Sequence, residues 1–340
     1  MRVVREPHIA GTIVLVDGVP ACGKTMMAPI VGSFDRVELM QYNYPLQSIC
    51  VLRDLNLIAS DVATVMIRMH TDLDLYDSMM SRETNFRFSD LSSVWRNSRP
   101  WRYFQRLFQP GDDATIPKIE KERPILHLVT HSMLGRCAGL FEALGDRLRI
   151  IEVVRHPLYM IKQWYGWIHR AGVDARTFHI WIDHHGHAVP DFAHGWEDLF
   201  LKSNRMDRTI YAIDADTRLA HCAYTKLSGA QKRQVLIVPF ETFVTKPDPY
   251  LRELEALLGT GMTSATSRMM KKQNVPRKMY ADGADLKIYR KYGWEPPDRA
   301  SSEVQEFQKR RDFAAAEASP DAMRVLDRMC EQYEVTYLRA

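Results

Sequence analysis

The sequence has little that would place it in a membrane or on a nucleic acid. It contains no run that approaches the roughly 20 consecutive apolar residues that span a bilayer. Its 46 basic and 42 acidic residues give a formal net charge of +4, which is too small to indicate a nucleic-acid partner. Residues 1–10 lack the apolar core of a signal peptide, so we expect a cytoplasmic protein.

Cysteine is also scarce and carries no pattern. The five cysteines, an odd number, are far apart and lack CxxC spacing, which argues against a disulfide framework and against a zinc site. They are Cys22, Cys50, Cys137, Cys222 and Cys330. We interpret Cys22, which lies in a glycine-bracketed loop, as an inert small residue; an oxidation-sensitive position is the alternative.

What the sequence does contain is an alternation of short β-branched runs and helix-length segments, without internal repeats. The runs predict strands over 12–16, 37–40, 125–130, 149–154 and 234–239. Such an alternation is typical of the α/β class, and we predict a doubly wound, mostly parallel sheet with helical insertions in a single domain over 1–340. In this architecture ligands bind at the carboxyl ends of strands, where the loops after Val16, Thr130 and Val154 would meet.

Two regions lie outside this alternation. Residues 45–121 predict a mostly helical insertion or lid, because apolar residues recur every three or four positions up to Met80 and an aromatic-rich stretch follows. That stretch, 81–121, is a lid over the substrate or a peripheral helical layer, and we favour the layer. Residues 265–340 predict a C-terminal loop and helices that pack on the core, with two helical patterns over 301–333 that are separated near Ser319 and Pro320.

The clearest chemical signal is a glycine-bracketed loop directly behind the first predicted strand. Its spacing, G-x-x-x-x-G-K-T, is typical of a phosphate-binding loop, in which backbone N–H groups and a helix N-terminus converge on an anion. The lysine offers a mobile positive charge, and the threonine offers a hydroxyl for a phosphate oxygen or a metal. An ordinary strand-to-helix turn is the alternative. The candidate nucleotide-binding residues here are Gly18, Pro20, Ala21, Cys22, Gly23, Lys24, Thr25 and Met26.

Two further strand ends carry candidate site residues. His131 follows the run 125–130, and histidine suits proton abstraction because its ordinary pKa of about 6.5 lies near the working pH. A capping or core histidine is the alternative. Arg155 follows the run 149–154, where its guanidinium could hold a phosphate or form an ordinary ion pair, and Pro157 then opens a helix.

In this order, the loop, the Thr130-His131 pair, Arg155 with Pro157, and the segment from Phe240 to Gly259 resemble the sulfotransferase family. The resemblance implies a P-loop fold and transfer of a sulfuryl group from 3′-phosphoadenosine 5′-phosphosulfate to a hydroxyl of a small-molecule or glycan acceptor. It implies that His131 is the general base, that Lys24 assists catalysis and that Arg155 holds the 3′-phosphate. Arg277 and Lys278 loosely echo the family's basic C-terminal loop.

The chain also departs from the family pattern. The usual loop lysine is replaced by Ala21, with Lys24 after the second glycine instead. Gln163 stands where a serine usually shares the 3′-phosphate, and Lys162 or Gln163 could still donate to that phosphate, so Gln163 is a candidate nucleotide-binding residue. A G-K-T ending is typical of enzymes that use ATP with Mg²⁺. An ATP-dependent small-molecule kinase therefore stays open, as does a non-catalytic nucleotide-binding module. The histidines between His179 and His194 show no ordered ligand spacing, and we predict no metal site there.

Overall fold

The computed structural model describes residues 1–171, 174–175, 177–284, 287, 290, 295–297 and 301–339. The strands in this part of the chain are β1 (Thr12–Asp17), β2 (Gln41–Tyr42), β3 (Ile125–Val129), β4 (Leu148–Val154), β5 (Trp181–His184), β6 (His187–Pro190) and β7 (Val235–Pro239).

The helices that the structure describes connect these strands and extend beyond the last one. They are α1 (Lys24–Val31), α2 (Tyr44–Asp54), α3 (Ser60–Met79), α4 (Pro100–Arg106), α5 (Thr115–Glu122), α6 (Ala138–Leu144), α7 (Pro157–Ile168), α8 (Glu197–Lys202), α9 (Arg205–Lys226), α10 (Gly229–Lys232), α11 (Phe240–Thr245), α12 (Asp248–Leu258), α13 (Ser264–Lys272), α14 (Glu303–Ala315) and α15 (Pro320–Tyr333). Short 3₁₀ turns lie at Val94–Arg96, Asp112–Ala114, Leu134–Arg136, Gly145–Arg147 and Asp191–Ala193, and a π-helical segment at Glu334–Leu338.

Within the described residues, five parallel strands form the central sheet in the order β2-β3-β1-β4-β7. The predicted α/β class with a parallel sheet is confirmed. The order places β1 in the middle, between β3 and β4, so the loops that follow these three strands emerge side by side at the carboxyl edge. From β1 the sheet continues through β3 on one side and through β4 on the other, so the direction of the strand order reverses at β1. Open α/β sheets bind their ligands at such a position.

Both faces of the sheet are buried, which explains why its strands read as continuous apolar runs. In β1, Val14 and Val16 pack into one core with α1, α7 and α9, whereas Ile13 and Leu15 pack into a second core with α2, α3 and α6. Successive side chains of a strand point to opposite faces, so one short strand supplies both cores. β1 is therefore held rigidly, and so is the start of the loop that follows it.

One secondary-structure prediction is wrong, and one pair of strands was not predicted. The run 37–40 is not a strand; the pairing there is a single bridge from Val37 to Ile125, and the strand β2 lies at Gln41–Tyr42. The antiparallel pair β5–β6 was not predicted, because its histidine-rich sequence lacks an alternating apolar pattern. The helices predicted over 45–80 and 301–333 are confirmed as α2, α3, α14 and α15. Among the helices that the structure describes, none has the length and apolar character that crossing a membrane requires.

Candidate active site

The loop after β1 has the backbone conformation of an anion cradle. Gly18, Ala21 and Gly23 all have positive φ, at 135°, 73° and 105°. A Cβ on Gly18 would lie 2.3 Å from the carbonyl oxygen of Val153, and one on Gly23 would lie 2.3 Å from the ring of Phe240. At both positions a larger residue is therefore excluded by the steric clash of its Cβ as well as by the positive φ angle. Alternation of left-handed and right-handed residues turns successive N–H groups to the same side.

Several carbonyl groups of the loop accept hydrogen bonds from other parts of the protein. The carbonyl oxygen of Pro20 accepts a hydrogen bond of 2.7 Å from the indole N–H of Trp164, and that of Ala21 accepts one of 3.0 Å from Nη1 of Arg155. The carbonyl of Gly18 accepts from the backbone N–H of Ser132 at 3.1 Å. These contacts fix the backbone of the loop. The N–H of Cys22 is also used inside the loop, where it donates to the carbonyl oxygen of Val19 at 3.1 Å, so the N–H groups left for an anion are those at the head of α1.

Helix α1 begins at Lys24, immediately behind Gly23. The N–H groups at the head of a helix have no intrahelical acceptor, and the helix dipole adds partial positive charge there. The Nζ of Lys24 donates to the carbonyl oxygens of Gly18 at 2.7 Å and Val19 at 3.3 Å, and the side chain is only 5% exposed. The ammonium group is therefore held against the loop rather than extended into solvent, in contrast to the mobile charge that the sequence predicts.

A cavity of about 410 Å³ opens over this loop. Its volume lies within the range of about 300–1,000 Å³ that is typical of small-molecule sites. Of the predicted site residues, the structure brings ten together along its wall: Pro20, Ala21, Gly23, Lys24, Thr25, Met26, His131, Arg155, Gln163 and Arg277. Gly18 and Cys22 are buried behind the loop, and Lys278 is exposed and lies outside the described lining. No residue of 81–121 is among the described lining of this cavity.

Two guanidinium groups approach the ring of Phe240, the first residue after β7. The distances from the ring centroid are 4.3 Å for the guanidinium carbon of Arg155 and 5.1 Å for that of Arg277. Stacking on an aromatic face holds a guanidinium in one plane. Burial lowers the pKa of Arg155, with Glu241 opposing the shift, and its Nε is buried without a hydrogen-bond partner in the described structure. Arg155 is therefore a cation with an unused donor beside the loop.

The C-terminal helix α14 supplies further cations that the sequence analysis did not predict. Arg310 lies with its guanidinium carbon 4.2 Å from the ring centroid of Tyr159, and Arg155 approaches the same ring at 5.2 Å. The phenol of Tyr159 donates to Oε2 of Glu303 at 2.9 Å, which ties α14 to α7. No local pattern distinguishes Arg310 from other charged residues of its helix. The basic residues along the described cavity wall are Lys24, Arg155, Lys162, Arg277, Lys309 and Arg310, against Asp282, Glu295 and Glu306.

His131 lines the same cavity. Burial, the charge of Lys24 and the nearby His179 hold the pKa of its imidazole well below the ordinary value, so the ring is neutral at pH 7. The rings of Tyr42 and Tyr44 lie nearly parallel to the imidazole, at centroid distances of 6.2 Å and 6.4 Å. The Oε1 of Gln47 is 3.2 Å from Nδ1 of the imidazole. The sequence analysis did not predict these three neighbours of His131.

The remaining candidates occupy places that limit their chemistry. Burial raises the pKa of the Cys22 thiol to about 11, consistent with an inert residue. Three of the five histidines from 179 to 194 pair with separate carboxylates: His179 with Asp191 at 3.4 Å, and His184 with Asp198 and His194 with Glu197, both at 3.0 Å. Among the residues that the structure describes, no three His, Cys, Asp or Glu side chains converge as they would around a metal ion.

Two acids lie beneath the loop, and neither faces the cavity. The carboxylate of Asp17 accepts hydrogen bonds from Oγ1 of Thr130 at 2.8 Å and from the backbone N–H of Leu134 at 2.7 Å. Burial, followed by the charge of Asp17, raises the pKa of the neighbouring Glu152 well above its ordinary value. Both oxygens of Asp17 are therefore used inside the protein.

Among the solved structures that are similar to this chain are three sulfotransferases, the family that the sequence resembles. The sulfotransferase domain of the Synechococcus PCC 7002 olefin synthase has 13% identity and a TM-score of 0.39, covering 93% of this chain and 98% of that one. The sulfotransferase STF9 from Mycobacterium avium has 11% identity and a TM-score of 0.41, with coverages of 97% and 78%. The sulfotransferase domain from the curacin biosynthetic pathway has 11% identity and a TM-score of 0.40, with coverages of 90% and 99%.

No family model and no curated protein matches the sequence. At these identities and TM-scores, a function has to be argued from the residues of this chain.

Proposed function

We propose that this protein is a sulfotransferase that uses 3′-phosphoadenosine 5′-phosphosulfate as donor and a hydroxyl-bearing small molecule or glycan as acceptor. The observation that carries the proposal is one cavity that joins an anion cradle, a cluster of cations and a neutral imidazole. In-line group transfer needs these three parts: donors for the leaving group, cations for the charge that spreads over the transferring group, and a base for the acceptor proton.

The residues present fit such a donor. The loop amides, Lys24 and Thr25 would hold the phosphosulfate end, and the buried, unused Nε of Arg155 suits a second anionic group. When bound, the donor supplies the sulfuryl group and leaves as the 3′,5′-bisphosphate. His131 accepts the proton of the acceptor hydroxyl as the new oxygen–sulfur bond forms. Lys24 and the N-terminus of α1 stabilise the negative charge on the departing phosphate oxygen.

The ends of the strands beside β1 support sulfuryl rather than phosphoryl transfer. In ATP-using enzymes with a G-K-T loop, an aspartate at the end of a strand other than the one that leads into the loop helps the threonine to hold Mg²⁺. Here β3 and β4 are followed by Thr130 and Arg155 instead, and Asp17, at the end of β1, does not line the cavity. The cations Arg155 and Arg277, in contrast, face the cavity, as a donor with an additional phosphate requires.

Calorimetric titration of the purified protein with 3′-phosphoadenosine 5′-phosphate, adenosine 5′-phosphate and Mg-ATP tests the proposal. We expect the bisphosphate to bind at least tenfold more tightly than the other two, and sulfuryl transfer to follow when the phosphosulfate is supplied with a panel of acceptor alcohols. Magnesium-dependent binding of ATP without a response to the bisphosphate would instead support the kinase. Tight bisphosphate binding without transfer to any acceptor would support the non-catalytic module.

A further inference from the structure

The protonated nitrogen of His131 can be deduced from the atoms around it. The Oε1 of Gln47 lies 3.0 Å from the backbone nitrogen of His131 and 3.2 Å from the ring nitrogen Nδ1. A backbone N–H can only donate, so the atom of Gln47 that it contacts has to be the amide oxygen. The other amide atom, Nε2 of Gln47, is 3.3 Å from the carbonyl oxygen of Asn43, which can only accept. Two separate contacts therefore fix the same amide orientation.

An amide oxygen has no proton to give, so the proton between it and the imidazole belongs to Nδ1. In a neutral imidazole the second nitrogen, Nε2, then carries a lone pair. Within the described structure Nε2 has no hydrogen-bond partner in the protein, and the ring lines the cavity. We propose that Gln47 is the positioning residue of His131: it holds the imidazole as the Nδ1–H tautomer and leaves Nε2 as the proton acceptor at the cavity.

Helix α2, which carries Gln47, is fixed at its N-terminus by hydrogen bonds and by packing. Gln47 is 9% exposed and lies in the first turn of α2, whose N-cap is Asn43. The side chain of Asn43 accepts from the backbone N–H of Leu46 at 2.7 Å and donates to Asp74 on α3. Leu46 is fully buried in the core beneath. The amide oxygen of Gln47 therefore has a fixed place relative to the strand end that carries His131.

The tautomer follows from geometry alone, whereas its catalytic value rests on the proposed function. The test therefore begins with a spectroscopic readout that does not require activity. Protein labelled with ¹⁵N-histidine is examined by long-range ¹H–¹⁵N correlation at pH 7, and the His131 signals are assigned by their loss in His131→Gln. We expect a protonated nitrogen at Nδ1 and an unprotonated nitrogen at Nε2. A proton on Nε2 in the unmodified protein would overturn the inference.

Substitutions of Gln47 then test its role in holding the tautomer. Gln47→Leu removes the acceptor, and we expect signals of the Nε2–H form to appear. Gln47→Glu keeps an acceptor at the same distance and should retain the proton on Nδ1. This variant also tests the role of Gln47 if the leucine variant folds poorly. The matched control is Gln105→Leu, the same change at an exposed position of α4 outside the cavity wall. An unchanged His131 spectrum in folded Gln47→Leu would refute the role of Gln47.

Kinetics separate this inference from the proposed function. We expect Gln47→Leu to lower kcat by about 10-fold to 100-fold, with the Kd of 3′-phosphoadenosine 5′-phosphate unchanged within about twofold. Equal loss of kcat and nucleotide affinity would overturn the positioning role. If the spectra show the expected tautomers and no acceptor is sulfated, the proposed function fails while the assignment of the tautomer to Gln47 stands.

Discussion

The guanidinium of Arg155 donates a hydrogen bond of 3.0 Å to the carbonyl oxygen of Ala21, although the two residues are 134 positions apart. Arg155 directly follows β4, and Ala21 lies in the loop after β1, the neighbouring strand. One side chain therefore holds the loop in its anion-binding conformation and also presents a cation to the cavity. The pairing of β1 with β4 brings these two roles together.

Arg155→Lys is expected to weaken binding of 3′-phosphoadenosine 5′-phosphate by about tenfold or more. Lysine keeps the charge but loses the planar fork that donates to Ala21 while lying over Phe240. Calorimetric Kd values measure the effect. Arg324→Lys is the control, because Arg324 is exposed and pairs with Asp321 far from the cavity wall. An Arg155→Lys protein with wild-type affinity would show that charge alone suffices.

Gly23→Ala is expected to destabilise the protein by about 1–3 kcal/mol and to reduce nucleotide binding. An added Cβ would meet the ring of Phe240 at 2.3 Å, and φ at Gly23 is 105°, a conformation that alanine rarely adopts. Urea denaturation gives the free energy of unfolding. The matched control is Gly166→Ala in α7, where a Cβ meets nothing within 4 Å. There the higher helix propensity of alanine should leave stability unchanged or raised by up to about 1 kcal/mol.

Arg310→Met is expected to weaken binding of the bisphosphate by about 5-fold to 20-fold. The methionine preserves much of the aliphatic contact with Tyr159 but removes one cation from the cavity. Arg311→Met provides the comparison on the next residue of α14, because Arg311 pairs with Asp327 and is not part of the cavity wall. Equal affinities of the two variants would mean that α14 takes no part in donor binding.

The parts of the site that the sequence could predict are those formed by neighbours in the chain. The spacing of Gly18, Gly23 and Lys24 is a local motif. Arg155 and His131 could be predicted as site residues because each follows the end of an apolar run. The contact from Gln47 to His131 joins residues 84 apart, and Arg310 approaches Tyr159 across 151 positions. These contacts depend on how α2 and α14 pack, and no short sequence pattern records that packing. The local pattern likewise predicts a strand at 37–40, whereas the strand that pairs with β3 is β2, at Gln41–Tyr42.

His131→Ala is expected to lower kcat by about 100-fold or more, with the Kd of the bisphosphate nearly intact. The imidazole is the neutral base at the cavity, whereas the loop and the cations that hold the nucleotide lie elsewhere on its wall. Single-turnover kinetics with the phosphosulfate donor, combined with calorimetry, separate the two effects. A parallel loss of affinity would show that the ring mainly supports the shape of the cavity.

The stability of the protein is expected to fall in acid because of His127, a histidine that is fully buried in β3. Burial lowers the pKa of His127 to about 4, from an ordinary value of 6.5. Between these two pH values the unfolded chain binds a proton that the folded chain does not, so stability rises with pH in this window and is lost as pH falls. A shift of this size corresponds to about 3 kcal/mol between pH 6.5 and pH 4.

His127→Asn isolates this contribution from the others. Burial raises the pKa of Asp216 to about 6, and such a carboxyl group acts in the opposite direction, because its stabilising effect is lost as pH rises. The slope of the unfolding free energy against pH is therefore compared between the wild type and His127→Asn. We expect the variant to lose less stability than the wild type from pH 6.5 to pH 4, whatever its stability at pH 7. His221→Asn, an exposed change on α9, should leave the slope unaltered, and equal slopes for His127→Asn and wild type would show that His127 is protonated without unfolding.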